Sequence, residues 1–436
     1  MNIKNLYQYY KTCQGVVSTD SRNCPLGSLF FALKGDKFDG NQYAAQALAT
    51  GAAYAVVDKP EVVDKESGRY LLVHDTLYAL QQLANYHRQM LHTPILAITG
   101  TNGKTTTKEL IAQVLLQKYK VHYTQGNFNN HIGVPLTLLS MTSEHEIGII
   151  EMGANHPGEI KELSRIVQPN LGLITNVGKA HLEGFGSFEG VVRTKSELYD
   201  YLRGQRKGLA FVHADDPILT KQVEGISKIL SYGTNSTADI IGKVKENKLK
   251  LAIQWEDSAI PEQQHCIQTQ LIGDYNLPNL LAAITVGSYF KVSVEAIQEA
   301  LTNYKPENNR SQYQETDLNN LIIDTYNANP SSMLAALHNF CTMPEQNKAV
   351  ILGDMRELGA NSLEEHQKII DFLNTQNSIH KVILVGSEFA QTKHNYESYS
   401  SVEDLKDKLD KQPIRDHTIL IKGSNGIHLF DIIDRL

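Results

Sequence analysis

Short apolar runs rich in isoleucine, valine and leucine recur along this chain with helix-length stretches between them. That alternation constrains the fold more than any other feature. Ile95-Leu96-Ala97-Ile98, Ile147-Gly148-Ile149-Ile150, Leu171-Gly172-Leu173-Ile174 and Leu209-Ala210-Phe211-Val212 have no polar face. A strand without a polar face must be covered on both sides, so these four predict one buried parallel sheet flanked by helices. The rhythm resumes at Leu321-Ile322-Ile323-Asp324, Ala349-Val350-Ile351-Leu352, Val382-Ile383-Leu384-Val385 and Ile419-Leu420-Ile421-Lys422. These predict a second doubly wound unit at the end of the chain. Before residue 90 the runs are shorter, Ser28 to Leu33 and Ala53 to Val57, as in a small α/β module. From Thr234 to Cys266 the pattern turns polar and alternating, as in Leu249-Lys250-Leu251-Ala252-Ile253-Gln254-Trp255, which reads as an antiparallel excursion before a helix from Pro278 to Phe290.

The expected fold class is therefore α/β in three domains: a small N-terminal α/β module, a central parallel-sheet domain, and a C-terminal Rossmann-like doubly wound domain. A length of 436 residues agrees with that count. The boundaries are expected at residues 1–90, 91–308 and 309–436, with a hinge over Lys305 to Arg310. A net charge of −7 provides no positive field for nucleic acid or anionic lipid. No apolar run approaches the roughly 20 residues of a membrane span. The start, MNIKNLYQYYKTC, lacks the features of a secretory signal, and Cys13, Cys24, Cys266 and Cys341 form no CxxC pair. Together these predict a cytoplasmic protein without a nucleic-acid partner, with its cysteines serving as small core residues.

The strongest local motif is Ile98-Thr99-Gly100-Thr101-Asn102-Gly103-Lys104-Thr105-Thr106, a strand end, a glycine-bearing loop and then a helix from Lys104 to Lys118. In this order Gly100 to Thr106 predict a P-loop that takes ATP. Loop amides and the helix N-terminus would bind phosphate oxygens, Lys104 would neutralise the distal phosphates, and the Thr105 hydroxyl would ligate Mg²⁺. Ile98 stands where the strict GxxxxGK[ST] pattern has its first glycine, and a plain glycine turn before an amphipathic helix is the competing reading. Glu151 ends the next strand candidate, so it would emerge beside the loop as a hard oxygen ligand for Mg²⁺. A glutamate there equally suits a loop salt bridge. Thr175 to Lys179 lead to His181, and Phe188 opens a helix containing Lys195. Taken alone, these two read as a structural histidine and a solvated lysine.

TGTNGKTT, GNFNNHIGVP, EMGANHPGEI, ITNVGKAHLEGFGSFEGV, RTKSE, DTYNANPSSM and GDMRELG occur in that order over nearly the whole chain. They resemble the successive motifs of the Mur ligase family. AHLEGFGS and YNANP resemble the branch that adds D-alanyl-D-alanine, and the DNxRxP element of the diaminopimelate-adding branch is absent from the sequence. The resemblance implies an ATP-dependent ligase forming a C–N bond. Its reaction would join D-Ala-D-Ala to UDP-MurNAc-tripeptide through an acyl phosphate, making UDP-MurNAc-pentapeptide for peptidoglycan.

Residue by residue, the resemblance implies Lys104 and Thr105 at the ATP phosphates and a first Mg²⁺, with Glu151 on the same ion. It implies His181 at a second Mg²⁺ and Lys195 as a carbamylated lysine ligand. Asn276 would lie near adenine, Arg310 on the γ-phosphate and Asp324 on the ribose. Ser21, Arg22, Asp36 and Asp39 resemble the loops holding the UDP-sugar; as plain sequence they are two surface turns. Asn130 of GNFNNHIGVP is implied at the substrate, and Asn327 and Asn329 at the dipeptide. Asn425 stands where family members often carry arginine, which puts a contact by that position in doubt. A monomer is expected. A folylpolyglutamate synthetase-like ligase would share the ATP module and the lysine, but the N-terminal UDP-type module and YNANP argue against it. A P-loop NTPase switch would release phosphate without an acceptor, and a scaffold that only binds nucleotide would not need the retained lysines, Glu151 and His181.

Overall fold

Strand Ile95–Thr99 lies inside a nine-stranded sheet, with Ile147–Glu151 on one side and Leu171–Ile174 on the other. In the computed structural model, which describes all residues except 247, 248, 261, 262 and 308, the spatial order continues outward from Ile147–Glu151 to Val121–Tyr123. From Leu171–Ile174 it continues through Leu209–His213, Lys228–Gly233, Ile240–Glu246, Lys250–Asp257 and Gln264–Ile272. Seven neighbouring strands, from Val121–Tyr123 to Ile240–Glu246, run parallel, and the last two are antiparallel. The four strands expected from their apolar runs are present. Val121–Tyr123 and Lys228–Gly233 escaped the sequence reading because both are partly exposed and carry polar residues.

Pleating sends alternate side chains of Ile95–Thr99 to opposite cores. Leu96 and Ile98 face the helices Lys104–Leu116 and Leu277–Tyr289, while Ile95 and Ala97 face Thr76–Met90, Gly133–Leu139 and Glu159–Val167. All five residues of the strand are buried, and each fully buried leucine or isoleucine contributes about 1.5–3 kcal/mol. The chain leaves Ile95–Thr99 toward one side of the sheet and later returns to the other. The crevice at its carboxyl end is thus a topological switch point, where open α/β sheets bind ligands.

The N-terminal unit is a four-stranded parallel sheet of Val17–Ser18, Leu29–Phe31, Tyr54–Val57 and Tyr70–Leu72. Helix Thr76–Met90, capped by Asp75, packs both on this unit and on the central helices. One apolar cluster therefore runs from Leu6 and Phe31 through Leu80 and Leu83 to Ile150 and Ile160. Arg88 on the same helix donates to the carbonyls of Leu91, Val167 and Gln168 and to Asn170 Oδ1, joining the two units with a buried guanidinium.

The C-terminal sheet runs Gln312–Glu315, Asn320–Asp324, Thr418–Lys422, Lys348–Gly353, Lys381–Val385 and Glu397–Tyr399, parallel except for its first pair. One face packs on Pro330–Thr342 and Ser362–Asn374, the other on Val402–Lys411 and the C-terminal residues, giving a doubly wound unit. The hinge expected over Lys305 to Arg310 includes residue 308, which lies outside the described residues.

Candidate active site

The phosphate loop begins where strand Ile95–Thr99 ends. Gly100 has φ +141, and a Cβ there would sit 2.1 Å from Thr175 Oγ1 and 3.0 Å from the Thr175 amide nitrogen, so only glycine fits. Gly103, at φ +77, takes the N-cap position of helix Lys104–Leu116. The loop is braced from the neighbouring strand end. Thr175 Oγ1 donates to Asn102 O at 2.6 Å, Asn102 N donates to Asn176 Oδ1 at 3.0 Å, and Gly178 N donates to Thr101 Oγ1 at 2.9 Å. Lys104 Nζ donates to the loop carbonyls of Gly100 and Thr101 at 2.8 and 2.9 Å. Desolvation lowers its pKa to about 8, against the opposing pull of Glu151.

Glu151 pairs in register with Ile98, which brings its carboxylate to the loop. Its Oε1 accepts Asn129 Nδ2 at 2.8 Å and Thr105 Oγ1 at 3.3 Å. Oε2 is buried without a hydrogen-bond partner, with Lys108 Nζ 3.8 Å away. A buried carboxylate oxygen without a hydrogen bond, beside a threonine hydroxyl and a cavity, suits a hard divalent cation, so these residues fit Mg²⁺. Among the described residues no group of three or more His, Cys, Asp or Glu side chains converges as a metal cage.

His181, in left-handed conformation at φ +49, touches the Glu357 carboxylate of the C-terminal unit through Nδ1. Lys195 is buried on helix Phe188–Arg203; its Nζ donates to Ala154 O at 3.2 Å and lies 5.2 Å from the Phe185 ring centre. Burial, followed by the charge of Lys104, holds its pKa well below the usual lysine range. A neutral amine is the form that adds carbon dioxide, so the environment of Lys195 fits a carbamate.

A cavity of about 910 Å³ opens between the central and C-terminal units, within the range of roughly 300–1,000 Å³ for small-molecule sites. It brings together Thr101 to Thr106, Asn130, Glu151, His181, Asn276, Arg310, Asp324, Asn327 and Asn329. Gly100 and Lys195 stand behind its wall, although Ala154, the acceptor for Lys195, lines it. Ser21, Arg22, Asp36 and Asp39 do not line it: Arg22 pairs with Asp20 on the surface, and Asp39 binds Lys59 at 2.6 Å and the Asn41 amide at 2.8 Å.

On the C-terminal side the Arg310 guanidinium stacks 3.7 Å from the Tyr326 ring centre, with its Nε buried and unpartnered. Asp324 Oδ2 accepts Lys422 Nζ at 2.5 Å. Asn130 Oδ1 accepts the amides of Ile132 and Gly133, and Asn327 Oδ1 accepts that of Ala328. Asn276 is fixed by donating to Ile272 O at 2.7 Å and accepting Asn279 Nδ2 at 2.9 Å.

Sequence reasoning passed over Asn129, Asn279, Glu357 and Lys422. Asn279 carried a usable signal, standing three residues after Asn276 and so on the same helical face. Its Oδ1 accepts Thr107 Oγ1 at 3.0 Å and its side chain packs where a Cβ on Gly103 would go, tying the two helices together at the loop. Glu357 and Lys422 meet their partners only through tertiary structure.

Three family models match the chain: the Mur ligase family catalytic domain over residues 15–88, the Mur ligase middle domain over 98–287 and the Mur ligase glutamate ligase domain over 309–425. The UDP-N-acetylmuramoyl-tripeptide--D-alanyl-D-alanine ligase of Bacillus subtilis is 35% identical, covering 98% of this chain and 94% of its own. The chain belongs to the Mur ligase family. This Mur ligase superposes on the crystal structure of MurF from Acinetobacter baumannii with a TM-score of 0.86 and 30% identity, covering 98% and 97% of the two chains. The MurF ligase of Thermotoga maritima in complex with ADP gives a TM-score of 0.85 at 26% identity, covering 96% of each. Among the described residues of the Mur ligase, no helix is long and apolar enough to cross a membrane.

Proposed function

We propose that this Mur ligase joins D-alanyl-D-alanine to UDP-N-acetylmuramoyl-tripeptide at the expense of ATP, making the pentapeptide precursor of peptidoglycan. The observation that carries the reading is the single cavity collecting the phosphate loop, Glu151 and His181 from the central unit and Arg310, Asp324 and Asn329 from the C-terminal one. Relatives bearing that activity in their names span nearly the whole chain.

A peptide carboxylate is a poor electrophile, so amide formation in water needs an activated leaving group. Transfer of the γ-phosphoryl group of ATP to the tripeptide carboxylate breaks the terminal phosphoanhydride bond and releases ADP. The dipeptide amine then attacks the acyl phosphate, phosphate departs, and the ammonium protons pass to solvent or a nearby base. Lys104 and Arg310 offset charge on the transferring group, and the stack on Tyr326 fixes the guanidinium plane. Asn276 faces adenine, Asp324 the ribose, and Asn327 and Asn329 the dipeptide, while Asn130 borders the tripeptide. Thr105, Glu151, His181 and carbamylated Lys195 would hold two Mg²⁺ ions. Bound there, magnesium supplies charge neutralisation to the phosphate oxygens.

Ser21, Arg22, Asp36 and Asp39 hold the UDP-sugar at a distance from the cavity, so a long substrate spans the N-terminal and central units. The division of labour is UDP-sugar binding by residues 1–90, ATP binding by 91–308, and dipeptide and ATP binding by 309–436. The enzyme acts as a monomer in this reading, and use of ATP with a nucleotide-linked precursor supports the cytoplasm.

Incubation with ATP, Mg²⁺, UDP-MurNAc-tripeptide and D-Ala-D-Ala should produce the pentapeptide, detected by mass. ADP released equally when either acceptor is left out would overturn the reading.

A further inference from the structure

Lys422 ends strand Thr418–Lys422 and pairs in register with Asp324 on the adjacent parallel strand. The residue is 1% exposed yet lines the cavity. A buried ammonium must have acceptors. Its Nζ donates to Asp324 Oδ2 at 2.5 Å and to Asn327 O at 3.4 Å. Two residues on, buried Ser424 donates from Oγ to Ala328 O at 3.4 Å and accepts Arg356 N at 2.9 Å. The turn Lys422-Gly423-Ser424 thus grips the segment from Asp324 to Asn329 at a carboxylate and two successive carbonyls.

Both ends of that segment line the cavity. At its start, Asp324 and Tyr326 stand with Arg310, the side where the nucleotide is read to bind. At its end, Asn329, read above as a dipeptide contact, bonds Asn102 of the phosphate loop and caps helix Pro330–Thr342.

We infer that Lys422 is a positioning residue that holds residues 324–329 as one body and thereby couples binding of nucleotide to binding of the dipeptide. The inference rests on the ligase reading above. Coupling between two sites requires an element whose arrangement both ligands bias, and on the ligase reading this segment meets both. Without the ammonium, Asp324 loses its tether to Asn327, so a ligand at one end no longer sets the other.

The test measures the dissociation constant of a non-hydrolysable ATP analogue with Mg²⁺ by calorimetry, in the presence of UDP-MurNAc-tripeptide, with and without saturating D-Ala-D-Ala. The unaltered enzyme should show the nucleotide binding at least about fivefold more tightly with dipeptide present, the lower end of ordinary coupling. Lys422→Met should bring that ratio to within about twofold of one and raise the KM of both ATP and dipeptide, while Lys422→Arg, which keeps a buried donor cation, should recover coupling. Lys422→Met/Asp324→Asn removes both charges and leaves no isolated carboxylate, so it decides the matter if the single variant does not fold. Coupling retained in that double variant overturns the inference, as does a fall in active enzyme with both KM values unchanged. A ratio of one in the unaltered enzyme also overturns it; pentapeptide formation by that same enzyme, measured in parallel, keeps the ligase reading separate.

Discussion

Asn329 of the C-terminal unit donates its side-chain amide to Asn102 Oδ1 in the phosphate loop at 2.7 Å, while its own Oδ1 accepts the amide of Ser332. One asparagine thus starts a helix and bridges two units at the phosphate loop. Lys179 adds a second bridge, donating to Glu365 at 3.0 Å, and its backbone amide reaches Ser331.

Replacing Asn329 by alanine removes both roles. The lost helix cap should cost about 1 kcal/mol in denaturant unfolding. Loss of the bridge should separately lower kcat/KM for the dipeptide by tenfold or more, equivalent to about 1.4 kcal/mol of transition-state binding. A variant with the stability loss alone would show that the bridge has no part in the reaction.

Glu151→Gln preserves shape and removes the carboxylate whose Oε2 has no hydrogen-bond partner in the cavity wall. Nucleotide affinity should no longer strengthen on adding Mg²⁺, and turnover should fall by roughly 10²–10³-fold, the scale of losing one electrostatic stabiliser. An unchanged magnesium dependence of nucleotide binding, read by calorimetry, would remove Glu151 from the metal site.

Lys195→Ala should abolish turnover while leaving the fold intact, because the side chain makes one hydrogen bond, to Ala154 O, beside the Phe185 ring. Short carboxylic acids added to the variant should restore part of the rate by returning the oxygens a carbamate supplies. A variant as active as the parent excludes the carbamate from the mechanism.

The pH prediction concerns Asp39, whose pKa the Lys59 ammonium and then the Asn41 amide lower to about 2. An unfolded aspartate titrates near about 4, so the carboxylate binds fewer protons in the folded state between these values. Its contribution to stability is complete above pH of about 4 and is lost as pH falls through about 2. Carboxyl carbon NMR should follow a midpoint near the lower value, and the stability gap between the parent and Asp39→Asn should narrow over that interval. A midpoint near about 4 would show that the pair with Lys59 is not held in solution.

The parallel strands were legible because burial on both faces demands side chains such as those of Ile95–Thr99 and Lys348–Gly353, and a continuous apolar run says so directly. Val121–Tyr123 and Lys228–Gly233 were not, since an edge or half-exposed strand tolerates lysine and histidine. The phosphate loop could be read because Gly100 and Gly103 occupy conformations that side chains resist, so their spacing records backbone geometry. By contrast, no local pattern shows that Thr76–Met90 shares one apolar cluster with the N-terminal unit and the central helices.

Alone, the sequence determined the α/β class, the glycine loop with Lys104 and Thr105, and the ordered motifs of the Mur ligase family, because local backbone demands and core burial are written residue by residue. Tertiary structure decided which carboxylate oxygen of Glu151 has no hydrogen-bond partner, that Glu357 meets His181, and that Lys422 ties Asp324 to Asn327. Those contacts join positions about 100 to 180 residues apart in the chain, so no local pattern encodes them. They form only where the carboxyl edges of two sheets close on one cavity.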